Sequence, residues 1–526
     1  MTAARFDALP VAPPLRRAMA EVFKYDTMTH VQSAAVPVAL EGADLLVKAR
    51  TGTGKTLAFL LPTLHAVAQS PPKNGTAVLV ISPTRELAQQ IAEEARMLLS
   101  YLPRFTLQVL VGGTNIRSDL AAVRRSGPPT LLVATPGRLL DHLGNPSSGF
   151  PAAMHTLSAL ILDEADRLLD MGFAPDLKRI FHAIPSVQHR QTLLFSATMP
   201  ADVENMARMA LKPDFKVVDC VGEGENTHHH VKQSMLVTSL PDQMPALAAV
   251  LAEHTKLKDY KIIVFFTTAR QTQFSSELFA MANTPVLEIH SRKSQGHRTK
   301  VSDKFRNGKS LIMFTSDVTA RGLDYPDVSA VIQVGLPADK SQYVHRIGRT
   351  ARAGKDGSGV LLLADFEAQS FMRKATDLPI QRIDSLPDTV MRPMRATMAS
   401  SVGKVPYGTK AGAYQAWLGF YNSNLKNLHW KKEDLVAMAN QWAMNVAALS
   451  EPPALLARTV GKMGLRDVQG LRVEGRNGVP RSERSVSGTG AGGGRGGRGG
   501  RGRASGSEGG RWRGGPQRDS FKPPRY

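Results

Sequence analysis

Short runs of apolar residues, each ending in a polar loop and followed by a helical stretch, recur along most of the chain. In the first half they are Leu45 to Val47, Ala77 to Ile81, Leu107 to Val111, Leu131 to Ala134, Ala159 to Leu162 and Thr192 to Phe195. The second half repeats the pattern at Lys261 to Phe266, Pro285 to Ile289, Leu311 to Phe314, Ala330 to Val334 and Val360 to Leu363. Strands this rich in apolar residues must be covered on both faces. Alternation with helices supplies that cover, so an α/β fold with two parallel sheets is expected. The polar passage Val221 to Asn226 separates the two sets and reads as a linker.

Downstream, Tyr414, Trp417, Leu418 and Tyr421, and then Leu435, Met438, Ala439 and Trp442, keep helical spacing. They predict a helical unit over about 392–470 with these side chains in its core. From Arg476 onward glycine is dense and arginine recurs, as in Arg495, Arg498, Arg501 and Arg503. Such a segment lacks the apolar residues to bury a core and is expected to be disordered. The expected boundaries are 1–222 for the first sheet domain, 223–391 for the second, 392–470 for the helical unit and 471–526 for the tail.

Three clusters carry chemistry. The stretch Ala49-Arg50-Thr51-Gly52-Thr53-Gly54-Lys55-Thr56 lies between a strand and a helix. Its glycines let backbone N–H groups close around phosphates, and the helix N-terminus adds partial positive charge. Lys55 is placed to meet β- and γ-phosphates and Thr56 to hold Mg²⁺. The second cluster, Asp163-Glu164-Ala165-Asp166, follows a buried strand, where open parallel sheets bind ligands. Asp163 faces the metal in this reading, and Glu164 orients or activates water. The third is His345-Arg346-Ile347-Gly348-Arg349-Thr350-Ala351-Arg352 in the second sheet domain. Its arginines can act as fingers across a cleft, worth about 10³–10⁵ in rate.

Net charge is +21 with pI ≈ 10.1, which favours a polyanionic partner. After residue 475 there are twelve basic and three acidic side chains, so +9 belongs to the tail and +12 to the rest. The single cysteine, Cys220, excludes an internal disulfide framework and is expected to be inert. Adjacent His228, His229 and His230 lack the geometry and co-ligands of a metal site. No apolar run reaches the ~20 residues of a membrane span. An intracellular protein of nucleus or cytoplasm is expected, or of mitochondrion or plastid if the start is incomplete.

With these motifs in order, residues about 6 to 365 resemble the DEAD-box ATP-dependent RNA helicases. Tyr25, Thr29, Gln32 and the upstream Phe6 resemble the adenine-reading motif. After the phosphate loop come Pro83 to Leu87, Gly112-Gly113, Thr135 to Arg138, the acidic cluster and Ser196-Ala197-Thr198. The second half offers Val264 to Phe266, Gln295 with Arg298, Thr315, Ala320 to Asp324 and the arginine cluster.

The resemblance implies two tandem RecA-like P-loop domains, ATP and Mg²⁺ as cofactors, and RNA gripped by its backbone with little sequence preference. It implies that Tyr25, Gln32, Thr51, Gly52, Thr53, Gly54, Lys55, Thr56 and Asp324 bind the nucleotide. Arg349 and Arg352 would approach the γ-phosphate, while Ser196 and Thr198 couple hydrolysis to domain movement. RNA would run along Thr84, Arg85, Gly113, Thr135, Gly137 and Arg138, then Gln295, Arg298 and Thr315. Lys24, Met28 and Ala351 depart from the family pattern, which has glycine, proline and glycine there.

Ala413 to Ser423 and Gly461 to Leu465 resemble the helical extension of one subgroup, together with His290 to Lys293. It includes plant and algal members and is similar to fungal mitochondrial helicases that act as RNA chaperones. That extension would brace the second domain and widen the RNA surface. The Arg-Gly tail with Trp512 would bind RNA through charge and stacking. A monomeric, RNA-stimulated ATP hydrolase that remodels RNA is therefore expected. An ATP-gated RNA clamp uses the same residues. A DNA translocase fits less well, and a GTP switch lacks its guanine motif.

Overall fold

The expected strands form because their side chains find cover on both faces. Val78, Leu79, Val80 and Ile81, for example, are all inaccessible to solvent. The computed structural model describes residues 2–50, 52–221, 231–317, 325–351, 356–383 and 385–474. Of the predicted features, Thr51, Asp324, Arg352, His228 to His230, most of the linker and the Arg-Gly tail lie outside the described residues.

Among the described residues, the first sheet has seven strands, all parallel. They are β1 (Leu45–Lys48), β2 (Val78–Ile81), β3 (Leu107–Leu110), β4 (Leu131–Ala134), β5 (Ala159–Leu162), β6 (Gln191–Ser196) and β7 (Lys216–Asp219), ordered 3-4-2-5-6-1-7. The order decides where chemistry can occur. β6 lies between β1 and β5, so the loops after these three strands are neighbours. The loops after β2, β3 and β4 lie on the other half of the same sheet edge.

The second sheet repeats the plan with β8 (Lys232–Thr238), β9 (Lys261–Phe266), β10 (Leu287–Ile289), β11 (Leu311–Thr315), β12 (Ala330–Val334), β13 (Ser358–Ala364) and β14 (Ile380–Ile383), ordered 10-11-9-12-13-8-14. All seven are again parallel. The tandem RecA-like arrangement is present. Three strands lack a sequence signal. β7 and β14 are short edge strands with charged and exposed positions, and β8 opens on Lys232, Gln233 and Ser234. Gln233 is nonetheless buried, because its side-chain oxygen accepts the Tyr343 hydroxyl at 2.9 Å.

The helical extension begins with the helix Asp388–Val402 and continues through Tyr407–Asn422, Leu425–Leu428 and Lys432–Gln441. The side chains singled out by helical spacing are core residues: Tyr414, Trp417, Leu418, Tyr421 and Trp442 are all buried. That core is not their own. They join a single apolar cluster with Phe266, Phe274, Ile332 and Phe371 of the second sheet domain. Trp442 meets the ring of Phe274 at 5.4 Å, and the Gln271 amide donates to the carbonyl of Ala413 at 3.0 Å. No helix among the described residues is long and apolar enough to cross a membrane.

The shared core gives a measurable consequence. Trp417 is 3% exposed and packs at a tilt against Tyr421, with ring centroids 4.1 Å apart. Trp417→Ala should cost about 3–5 kcal/mol. Hydrogen exchange should show that loss in both the extension and the second sheet, with the first sheet unaffected.

Candidate active site

Gly54 ends the phosphate loop in a left-handed conformation, φ 88°, and the helix Lys55–Gln69 starts immediately after it. A Cβ at Gly54 would stand 2.5 Å from Nε2 of Gln32, so only glycine fits. Within the loop, the Thr53 hydroxyl donates to the Arg50 carbonyl at 2.8 Å. Thr56 is partly accessible in the first helical turn.

Gln32 is 3% exposed and ties two motifs together. Its amide oxygen accepts from the Thr29 N–H at 2.8 Å, and its Nε2 donates to the Gly54 carbonyl at 3.0 Å. Thr29 accepts in return from the Gln32 N–H, completing a capping box for the helix His30–Leu40. Tyr25 is 49% exposed and offers an accessible ring, whereas Phe6 is buried in the core. Phe6 is thus brought into the fold rather than to a binding surface.

The acidic turn follows β5. Glu164 adopts φ 52°, ψ 55°, a strained conformation for a residue with a side chain, at the position just before the helix Ala165–Asp170. Its Oε1 lies 3.0 Å from Nζ of Lys55, with both side chains buried. Burial works to lower the Lys55 pKa, but Glu164, Asp163 and Asp166 together carry it above its ordinary value. The Asp163 carboxyl is pushed up to about 7, chiefly by burial, with Lys55 opposing and Glu164 adding to the rise.

Asp166 connects this turn to its neighbours. Its Oδ2 accepts from the Thr198 N–H at 3.2 Å and the Thr198 hydroxyl at 2.8 Å. Its own N–H donates to the Ser196 hydroxyl at 3.2 Å. The same Oδ2 lies 3.9 Å from Nε2 of His345 in the second sheet domain. Nearby, Arg167 donates to the carbonyl of Asp317 at 2.5 Å, and the Asp317 carboxylate holds Arg346 at 2.8 Å. Arg349 is 1% exposed, and its Nε donates to the carbonyl of His345 at 3.3 Å. The arginine segment and the acidic turn therefore share one interface.

The residues expected along an RNA path divide into two groups. Gly113 and Gly137 are exposed, and nothing stands where a Cβ of Gly137 would project. Arg85 lies across the Gly112-Gly113 loop, where a Gly113 Cβ would come within 2.3 Å of its guanidinium. Thr84 and Thr135 are buried N-cap residues, and Thr315 is buried with its hydroxyl on the Ser316 carbonyl.

Arg138 is turned inward: its guanidinium donates to Asp119 at 2.6 Å and to the Thr114 carbonyl at 2.7 Å. It shapes the loop after Gly113 instead of presenting a free charge. Gln295 and Arg298 both donate to Glu86 of the first sheet domain, at 3.1 and 2.6 Å. Glu86 is 5% exposed and bridges the two domains. Sequence reasoning missed this role because an acid in the first turn of a helix usually serves only the helix dipole.

The departures from the family pattern acquire physical meaning. Lys24 and Ala351 both have positive φ, 57° and 53°, so each stands where glycine is unstrained. Ala351 is therefore a larger departure than its small side chain implies. Met28 supplies an N–H that proline lacks, and it donates to the Ala4 carbonyl at 2.8 Å.

Comparison with known proteins agrees with this geometry. Residues 29–206 match the DEAD/DEAH box helicase model, and 242–354 match the helicase conserved C-terminal domain. DEAD-box ATP-dependent RNA helicase 26 of Arabidopsis thaliana is 46% identical over 483 residues, covering 89% of this chain and 55% of that protein. The rice (Oryza sativa subsp. japonica) protein of the same name is 46% identical over 470 residues, covering 89% of this chain and 86% of its own length. The chain thus spans about half of the first relative and most of the second. Among solved structures, Mss116p bound to ssRNA and AMP-PNP superposes with a TM-score of 0.77 at 26% identity, covering 88% of this chain and 95% of that one. A phosphate loop after β1 and an acidic turn after β5, with only β6 between them and a second sheet docked against them, match in order the family the relatives name: the chain belongs to the DEAD-box ATP-dependent RNA helicases.

Proposed function

We propose that this chain hydrolyses ATP when RNA closes its two sheet domains, and uses the cycle to unwind or remodel RNA locally. The observation that carries this is the continuity from Lys55 through Glu164 and the acidic turn to Asp166 and His345. A hydrolytic site built on one sheet is in contact with the other. The relatives named above, and the Mss116p complex with ssRNA and AMP-PNP, support the same reading.

In this reading Gly52, Thr53, Gly54 and Lys55 cradle the phosphates, with Thr51 in the same loop. Tyr25 and Gln32 flank the base, and Asp324 serves the ribose. Glu164 orients the attacking water, and Arg349 and Arg352 stabilise charge on the γ-phosphate. Asp163 and the Thr56 hydroxyl are hard oxygen donors, and the pair suits Mg²⁺. The raised pKa of Asp163 marks a carboxylate whose burial a cation would offset. Thr56 and Asp163 would hold the ion, which would neutralise charge on the phosphates. Ser196 and Thr198, hydrogen-bonded to Asp166, connect this chemistry to domain position.

RNA backbone would lie along Thr84, Arg85, Gly113, Thr135 and Gly137. In the second domain Gln295, Arg298 and Thr315 flank that path. The contacts of Gln295 and Arg298 with Glu86 make them closure residues as well as candidate RNA contacts. Arg138 acts through the loop it holds. The proposed division is 1–222 and 223–391 for the two sheet domains, 392–470 for the extension and 471–526 for an RNA-anchoring tail. A monomer suffices for all of these roles.

The primary test is the ATPase rate with and without RNA: stimulation is expected, and its absence in a folded sample overturns the proposal. Lys55→Ala and Glu164→Gln should each lower turnover by at least about 100-fold. EDTA should abolish turnover, and Mg²⁺ should restore it. Glu86→Ala leaves Arg298 buried without its carboxylate, which disfavours the docked arrangement by about 3–5 kcal/mol. Dyes on the two sheet domains should then show a diminished high-transfer population. Removing residues 476–526 should weaken RNA binding and flatten its dependence on salt while sparing the hydrolysis step.

A further inference from the structure

Glu367 is a charged side chain with no access to solvent, and the proposed chemistry does not use it. Four donors converge on its carboxylate. Oε1 accepts from the Leu336 N–H at 2.7 Å and from the Tyr421 hydroxyl. Oε2 accepts from the Ala364 N–H at 2.8 Å and from Nε2 of Gln243 at 3.1 Å. Burial raises the pKa of Glu367, and these hydrogen bonds, Tyr421's foremost, act against the rise. The four partners come from different parts of the fold: the segment after β12, the end of β13, a helix of the second sheet domain, and the extension.

The Leu336 contact leads directly to the arginine segment. Gly335, at φ 87°, is pressed against this junction, where a Cβ would lie 2.7 Å from Thr267 and 3.5 Å from Glu367 Oε1. After Leu336 comes Pro337, whose ring fixes φ. The Ala338 N–H then donates to the Gln342 side chain at 2.8 Å, and the Asp339 carboxylate caps the helix Lys340–Ile347 at 2.7 Å. Little slack separates the carboxylate from that helix, which carries His345 and Arg346 and runs into Arg349. A second contact joins the same elements: Phe371, on the helix of Glu367, meets the Tyr343 ring at 5.3 Å.

We propose that Tyr421 and Glu367 are positioning residues: the extension's phenol, acting through the carboxylate, sets the backbone at Leu336 and thereby the place of His345 and Arg349. The extension then contributes to catalysis without touching nucleotide. This inference rests on the function proposed above, because it assigns Arg349 to the reaction.

Tyr421→Phe in the full chain removes the hydroxyl and keeps the ring among Phe366, Trp417 and Trp430. Amides of Lys340–Ile347 should exchange about tenfold faster, with those of Lys55–Gln69 unchanged. The kcat for RNA-stimulated ATP hydrolysis should fall about tenfold, with the KM for RNA within about twofold of the parent. Trp430→Phe perturbs the same aromatic cluster away from Glu367 and should leave both readouts in place.

Unchanged exchange at Lys340–Ile347 in Tyr421→Phe overturns the inference, as does faster exchange with unaltered kcat. An equal effect from Trp430→Phe also overturns it, since loosened packing would then be the cause. If the parent shows no RNA-stimulated hydrolysis, the proposed function fails, and the exchange comparison still decides whether Tyr421 orders the arginine helix.

Discussion

Asp166 holds together three pieces that the chain order keeps far apart. It closes the acidic turn after β5, accepts both the N–H and hydroxyl of Thr198 after β6, and faces His345 from the second sheet. Such a buried carboxylate is stable only while its partners stay in place. A change in the position of His345 is therefore felt at the turn that carries Asp163 and Glu164. Lys55, paired with Glu164, extends the same connection to the phosphate loop. The acidic turn meets the second sheet domain through the Arg167 hydrogen bond to the Asp317 carbonyl and the approach of Asp166 to His345 at 3.9 Å.

The sequence made the architecture legible where burial is strongest. Central strands such as β5 and β2 are wholly apolar, and no surface element produces that pattern. The edge strands β7 and β14 carry charged and exposed residues and look like loops. The motif residues were legible as types, because glycine, lysine and threonine in one short loop have few other uses. Their partners were not. Glu86 resembles an ordinary helix-terminal acid until Arg298 arrives from 212 positions away to form a buried pair. Arg138 looks like a free cation until Asp119 and the Thr114 carbonyl claim it. Linear spacing carries no information about contacts of this range.

Three of the nine non-glycine residues with positive φ among the described residues belong to the motif segments. Glu164, Lys24 and Ala351 all take left-handed conformations without being glycine. At Glu164 the cost, roughly 1–2 kcal/mol, accompanies a carboxylate aimed at Lys55. At Lys24 and Ala351 the same conformation persists although the side chain disfavours it. The backbone path is thus imposed by packing on either side and is kept when the residue best suited to it is absent.

The strand order bears on how this protein tolerates changes of length. β5 is held in register on both sides, Leu162 opposite Leu194 of β6 and opposite Ile81 of β2. Side chains alternate between the two faces, so losing one residue within β5 would turn Asp163 and Glu164 away from Lys55. The segments on the far side of the sheet are under no such restriction and can lengthen or shorten while the strand ends stay fixed. Insertions and deletions among related chains should accordingly collect opposite the edge that carries the motifs, leaving that edge constant in spacing even where the intervening sequence drifts.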